Sequence, residues 1–125
     1  MRIEIPFKTP SINHLYWHRG NIKIMKTEAK ELRAQIAEIV PKEHNLSGKI
    51  LKVICFIYED WYYQNGDVSR KDIANREKFL IDSVFKALDI DDKYIFEHTF
   101  IKMQSMDEEK AVIEIVGTGD VVHHL

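Results

Sequence analysis

At 125 residues and 14.7 kDa the chain has the length of one domain, residues 1–125, built on a single core. Hydrophobic residues at 45% and charged ones at 30% exclude wholesale disorder, and no apolar run approaches the ~18 residues of a membrane-spanning helix. The net charge of −2 excludes a simple basic coat for nucleic acid, yet it hides an asymmetry: residues 1–52 hold ten Lys and Arg against five Asp and Glu, residues 53–125 eight against fifteen. A basic half suits a polyanion and gathered acids suit a cation; the same charges also read as solvated surface. The single cysteine, Cys55, excludes an intramolecular disulfide and a cysteine-rich zinc site. Glu4 inside the opening stretch argues against a secretory signal, so the expectation is a reduced, cytoplasmic protein with no membrane partner.

In chain order, residues 2–6 alternate Ile3 and Ile5 with Arg2 and Glu4, as on a half-buried strand. Residues 8–20 mix the turn formers Pro10, Ser11, Asn13 and Gly20 with Tyr16, Trp17, His18 and Arg19, which predicts an exposed recognition loop. A helix is predicted from Thr27, read as its N-cap, with Glu28 in the first turn. Its apolar face is Ala29, Leu32, Ile36, Ile39 and Val40, and Pro41 stops it. Residues 50–58 are nearly all apolar and β-branched or aromatic, hence a central strand covered on both faces, with Cys55 a small core hydrophobe. Asn65-Gly66-Asp67 marks a turn in a charged loop. A second helix is predicted over 72–88 with Ile73, Leu80, Ile81, Val84 and Leu88 on one face. Strands follow at 94–103 and 111–116, and then a loosely held tail. The order β-α-β-α-β-β predicts an α+β fold: a small mixed sheet with two main helices packed on it.

Chemistry concentrates at the second helix. Asp72 sits where a helix start favours an anion, and Ala74, Lys78 and Asp82 follow at spacings of four on one stripe bordered by Asn75. Asp89, Asp91 and Asp92 lie in the turn after the helix, and hard cations such as Mg²⁺ take carboxylate oxygens. About 25 Å of helix separates Asp72 from Asp92, so the two meet one ion only if the chain doubles back or subunits share it. Helix capping and a solvated acidic turn explain the same residues. The histidines have no zinc-ligand spacing, His98 reads as a satisfied structural residue, and no Gly-rich phosphate loop or Ser-His-Asp order is present.

The string Asp72-Ile73-Ala74-Asn75-Arg76-Glu77-Lys78, then Asp82, then Asp91-Asp92, resembles the RusA family of Holliday junction resolvases. In that family a helix carries Asp-x-Asp-Asn-x-x-Lys and a downstream aspartate pair. Ile3-Glu4-Ile5-Pro6 and Pro10-Ser11-Ile12-Asn13-His14-Leu15-Tyr16 resemble the family's opening strand and Pro-Ser-x-Asn-x-x-Tyr loop, and the likeness spans most of residues 2–116. The resemblance implies a RusA-like homodimer that cuts four-way DNA with Mg²⁺, Asp72 and Asp92 being metal ligands and Lys78 the catalytic lysine. Beside that site Arg70, Lys71 and Arg76 are expected to grip phosphates or to stand as ordinary solvated bases, Tyr16 and Arg19 to line the DNA, and Asn13 to contact it or to cap its own loop, with Asp67, Asn75 and Asp91 in supporting roles. Ala74 departs from the pattern: it stands where the family has its second aspartate, and a methyl group ligates nothing. Two explanations stand, a deliberate replacement, favoured by the intact surroundings, or a natural variant with weak or lost cleavage. Alternatives are a non-catalytic branched-DNA-binding protein on the same fold and a small dimeric interaction protein.

Overall fold

The computed structural model describes residues 1–11 and 15–120. It is an α+β arrangement of eight elements: strands β1 (Arg2–Ile5), β2 (Tyr16–Arg19) and β3 (Ile22–Met25), helix α1 (Thr27–Ile39), strand β4 (Lys49–Glu59), helix α2 (Ala74–Leu88), and strands β5 (Ile95–Gln104) and β6 (Lys110–Asp120). A 3-10 turn, Asp92–Tyr94, leads into β5.

The main sheet has the order β1-β6-β4-β5. β4 runs parallel to β5 and antiparallel to β6, which pairs antiparallel with β1 in the register Ile3↔Ile113. Parallel neighbours require a crossover, and α2 supplies it. The end of β4, the start of α2 and the end of β5 therefore lie at one end of the sheet. Four hydrogen bonds tie that end: Lys102 Nζ donates to the Lys71 carbonyl at 2.9 Å, Gln104 Nε2 to Asp60 Oδ1 at 2.8 Å, the Trp61 amide to Gln104 Oε1 at 2.8 Å, and the Ser105 amide to the Glu59 carbonyl at 3.0 Å.

The residues of β4 alternate. Leu51, Val53, Cys55 and Ile57 are buried beneath the helices, while Ile54, Phe56 and Tyr58 are only half-buried. The strand is central as predicted, but it is covered fully on one face rather than on both. Phe79, Leu80, Val84, Phe85 and Leu88 of α2, Ala29 and Ile36 of α1, and Ile113 and Ile115 of β6 complete the core. α2 ends where Asp89 adopts a left-handed conformation (φ 56°) and the Ile90 amide donates to the Phe85 carbonyl at 3.1 Å.

Burial in this layer pushes the Cys55 thiol up to about 12, with the Glu77 charge adding to the effect. A thiolate is the reactive species. Native protein at mildly alkaline pH is therefore expected to leave Cys55 unlabelled by a thiol reagent, and denaturant to release one reactive thiol per chain. Rapid full labelling without denaturant would show that the strand opens.

Several expectations need correction. Residues 16–25, expected within an exposed loop and the segment after it, form the β2–β3 hairpin, closed by the two-residue link Gly20-Asn21 with Gly20 at φ +61°. The Lys26 amide donates to the Leu15 carbonyl at 2.8 Å and ties the hairpin to the buried Leu15. Helix α1 is preceded by Lys26 as its cap, without a side-chain hydrogen bond, and Thr27 is already helical. Ile39 turns outward at 37% exposure, because Val40 leaves the helix and takes the inward position. Helix α2 begins at Ala74 rather than Asp72, and residues 117–120, expected in the tail, extend β6 along β4 as far as Lys49↔Asp120. No helix among the described residues is long and apolar enough to cross a membrane.

Candidate nucleic-acid interface

The loop from β4 to α2 is built by its own turn chemistry. Gly66 at φ +90° permits the reversal, Asn65 Oδ1 accepts from the Asp67 amide at 3.0 Å, and Asn65 Nδ2 donates to Asp67 Oδ2 at 3.1 Å. The Asp67 carboxylate is thus engaged in holding this turn. The Ser69 amide then reaches the Trp61 carbonyl at 2.8 Å, and the Arg70 amide donates to the Tyr63 hydroxyl at 3.1 Å. The loop is folded back so that Arg70, Lys71 and Asp72 stand beside the end of β4.

Beneath them lies Glu59, 1% exposed, at the last position of β4. Arg76, itself 7% exposed, donates through Nε to Glu59 Oε1 at 3.1 Å and through Nη2 to Oε2 at 3.3 Å. Lys71 Nζ reaches Oε2 at 3.3 Å and the Asp60 carbonyl at 2.7 Å, and Lys8 approaches at 4.0 Å. Burial opposes the charge on Glu59, but the hydrogen bonds and charges of Arg76 and Lys71 outweigh it and hold the carboxyl below its ordinary range.

Above this cluster opens a pocket of about 410 Å³, lined from the segment after β1 by Lys8, Thr9 and Ser11 and from the other side by Arg70, Lys71, Asp72, Asn75 and Arg76. Thr9 is 1% exposed, and its Oγ1 finds no hydrogen-bond partner among the described residues. Asp72 is exposed; its Oδ1 accepts from the Ala74 amide at 3.0 Å and covers one of the free N–H groups of the helix start. The cations Lys8, Arg70 and Lys71 and the Asn75 carboxamide at a helix N-terminus suit a phosphate group, while Lys8 also pairs with Glu109 at 3.3 Å and the Asp72 carboxylate opposes a bare anion.

Five of the residues singled out in the sequence, Arg70, Lys71, Asp72, Asn75 and Arg76, therefore meet at one opening. Arg76 lines it while its guanidinium is committed to Glu59. Others stand apart. Lys78 is exposed and paired with Asp82 at 3.3 Å, one turn along α2. Asp91 Oδ1 accepts from the Lys93 amide at 2.9 Å and caps the 3-10 turn that Asp92 begins. Asp72 precedes α2 and Asp92 follows it, so about 22 Å of helix lies between them in one chain. Tyr16 and Arg19 lie on the hairpin, where Lys23 Nζ sits 4.3 Å from the Tyr16 ring centre and Trp17 is 63% exposed. Asn13 lies outside the described residues.

His98, expected to be satisfied, is only partly so. Its Nδ1 lies 3.2 Å from Glu77 Oε1, but its buried Nε2 has no partner among the described residues. Burial pushes its pKa down against the pull of Glu77. Sequence reasoning passed over Lys8, Thr9 and Glu59. The available signal was an acid closing a nine-residue apolar strand, a position that demands a buried cation.

A Mg²⁺ site needs several oxygens. Among the described residues of one chain the pocket is lined by one carboxylate, Asp72, whose Oδ1 already accepts from the Ala74 amide; Ala74 contributes none, and Glu59 is held by cations. Among the described residues no three His, Cys, Asp or Glu side chains gather as a metal group. The residues of one chain do not fit the ion. No family model matches the chain, and no curated protein matches it.

Proposed function

We propose that the chain is a RusA-like, structure-specific endodeoxyribonuclease of four-way DNA junctions, acting as a homodimer, which in this sequence holds branched DNA and cuts it poorly. The observation that carries the reading is the pocket at the start of α2, where the motif residues Asp72 and Asn75 face the bases Lys8, Arg70 and Lys71. A phosphodiester entering there meets cations on both sides and an N-terminal helix end ahead of it. Two such pockets in a two-fold dimer suit a substrate with two equivalent strands. In the family Mg²⁺ supplies the activation of water and the neutralisation of phosphate charge. Here a second carboxylate beside Asp72 is missing, and it would come either from position 74 or from Asp92 of a second copy.

A second reading, a non-catalytic junction-binding protein, is favoured by that same lone carboxylate. Binding measured by fluorescence anisotropy in EDTA tests what both readings share. The chain is expected to prefer a four-way junction over linear duplex by about tenfold or more. Arg70→Gln, which removes an exposed charge and leaves the Glu59 cluster alone, is expected to lower the salt slope of log K by about 0.9. Equal affinity for both DNAs would sink the junction reading.

A further inference from the structure

Between α1 and α2 a second groove, of about 420 Å³, opens to solvent. Four cations line it: Lys30 and Arg33 from α1, Lys42 from the segment after it, and Lys86 from α2. No acidic side chain lines it, and among the described residues none of the four takes part in an ion pair. Two are fixed by the fold. Arg33 Nε donates to Ser83 Oγ at 3.1 Å with its guanidinium 5.9 Å from the Phe79 ring centre, and Lys42 Nζ donates to the Ala37 carbonyl at 2.8 Å. Lys30 and Lys86 are exposed. The floor is small, made by Ala34, Ala37 and Ala87, so a bulky backbone can come close.

Like charges gathered without a counter-charge repel one another, and an anion from outside relieves that repulsion. The groove also lies along α2 from the first pocket, which Asn75 lines. Asn75 and Lys86, about three helical turns apart, lie on one side of α2, and Phe79 and Ser83 between them are buried against Arg33 of α1. From Asn75 to Lys86 the rise is about 17 Å, or roughly five base-pair steps of 3.4 Å. We propose that this groove is a second contact for the phosphate backbone of nucleic acid, seating a duplex arm about five base pairs from the pocket at the start of α2. This inference rests on the nucleic-acid reading of that pocket and adds to it a separate surface.

The test is salt-dependent binding of a long-armed four-way junction to the full chain and to Lys30→Gln/Lys86→Gln, two exposed positions outside the core. Loss of two phosphate contacts is expected to reduce the slope of log K against log salt by about 1.8 and to weaken binding by about 60-fold near 0.1 M salt. An unchanged slope and affinity, with the parent binding firmly, would overturn the groove and leave the first pocket standing. A parent that binds no DNA would remove both readings. Tripolyphosphate protecting the parent against heat as strongly as the junction does would assign the groove to a small polyanion instead and overturn the proposal.

Discussion

Glu59→Ala is expected to destabilise the protein by about 3–5 kcal/mol, because it strands the Arg76 guanidinium inside the fold. For a domain of this length that is a fall in Tm of roughly 10–20 °C, readable by circular dichroism at neutral pH. The cost arises from the orphaned cation more than from the worth of the pair. Replacing both partners with Met is therefore expected to recover most of the loss, while Lys71, only half-buried, turns to water. The pH dependence follows in sign. The folded-state pKa of Glu59 lies below its ordinary 4.5, so its contribution is present above that value and lost as pH falls through the lowered one. Glu59→Gln is expected to lack this acid-side loss. A Glu59→Ala variant melting within about 2 °C of the parent would show that the buried cluster carries little stability.

Ala74→Asp is expected to raise junction cleavage in Mg²⁺ by about 100-fold or more over the parent, the scale typical of restoring one group that stabilises developing charge. Ala74 is exposed at the first turn of α2, its amide already bound to Asp72, so an acid there would stand beside the carboxylate that lines the pocket among the described residues. The helix N-terminus tolerates the added charge. Cleavage products resolved on a denaturing gel, with EDTA abolishing them, provide the readout. Equal and vigorous cutting by parent and variant would show that position 74 is no ligand; no cutting by either, with junction binding intact, would favour the non-catalytic reading.

Much of the fold was legible because it is amphipathic at the expected periods. Ile3 and Ile5 gave β1, Ala29 and Ile36 gave α1, and Leu80, Val84 and Leu88 gave α2. The hairpin was not, for a physical reason: Trp17, Ile22 and Ile24 are exposed, so its alternation has no buried face to announce it. Only Gly20-Asn21 signalled a two-residue reversal. The candidate site divides the same way. Arg70, Lys71, Asp72 and Asn75 are neighbours along the chain, whereas Lys8, Thr9 and Glu59 arrive through the pairing of β1 with β6 and of β6 with β4. Periodicity does not encode such pairings. The separation of Asp72 from Asp92 was legible, being simple helix length.

The pairing of β1 with β6 also governs assembly in time. Arg2 and Ile3 take their partners from Glu114 and Ile113, and the Ile115 amide reaches back to the Met1 carbonyl at 2.8 Å. β1 finds its partner only once β6 has been made, since β6 is also what joins β1 to β4. A topology so dependent on distant partners folds slowly, and a half-emerged chain leaves the long apolar β4 without a neighbour on either side. A chain in which β4 has been made before β5 and β6 is thus expected to expose its apolar face to aggregation.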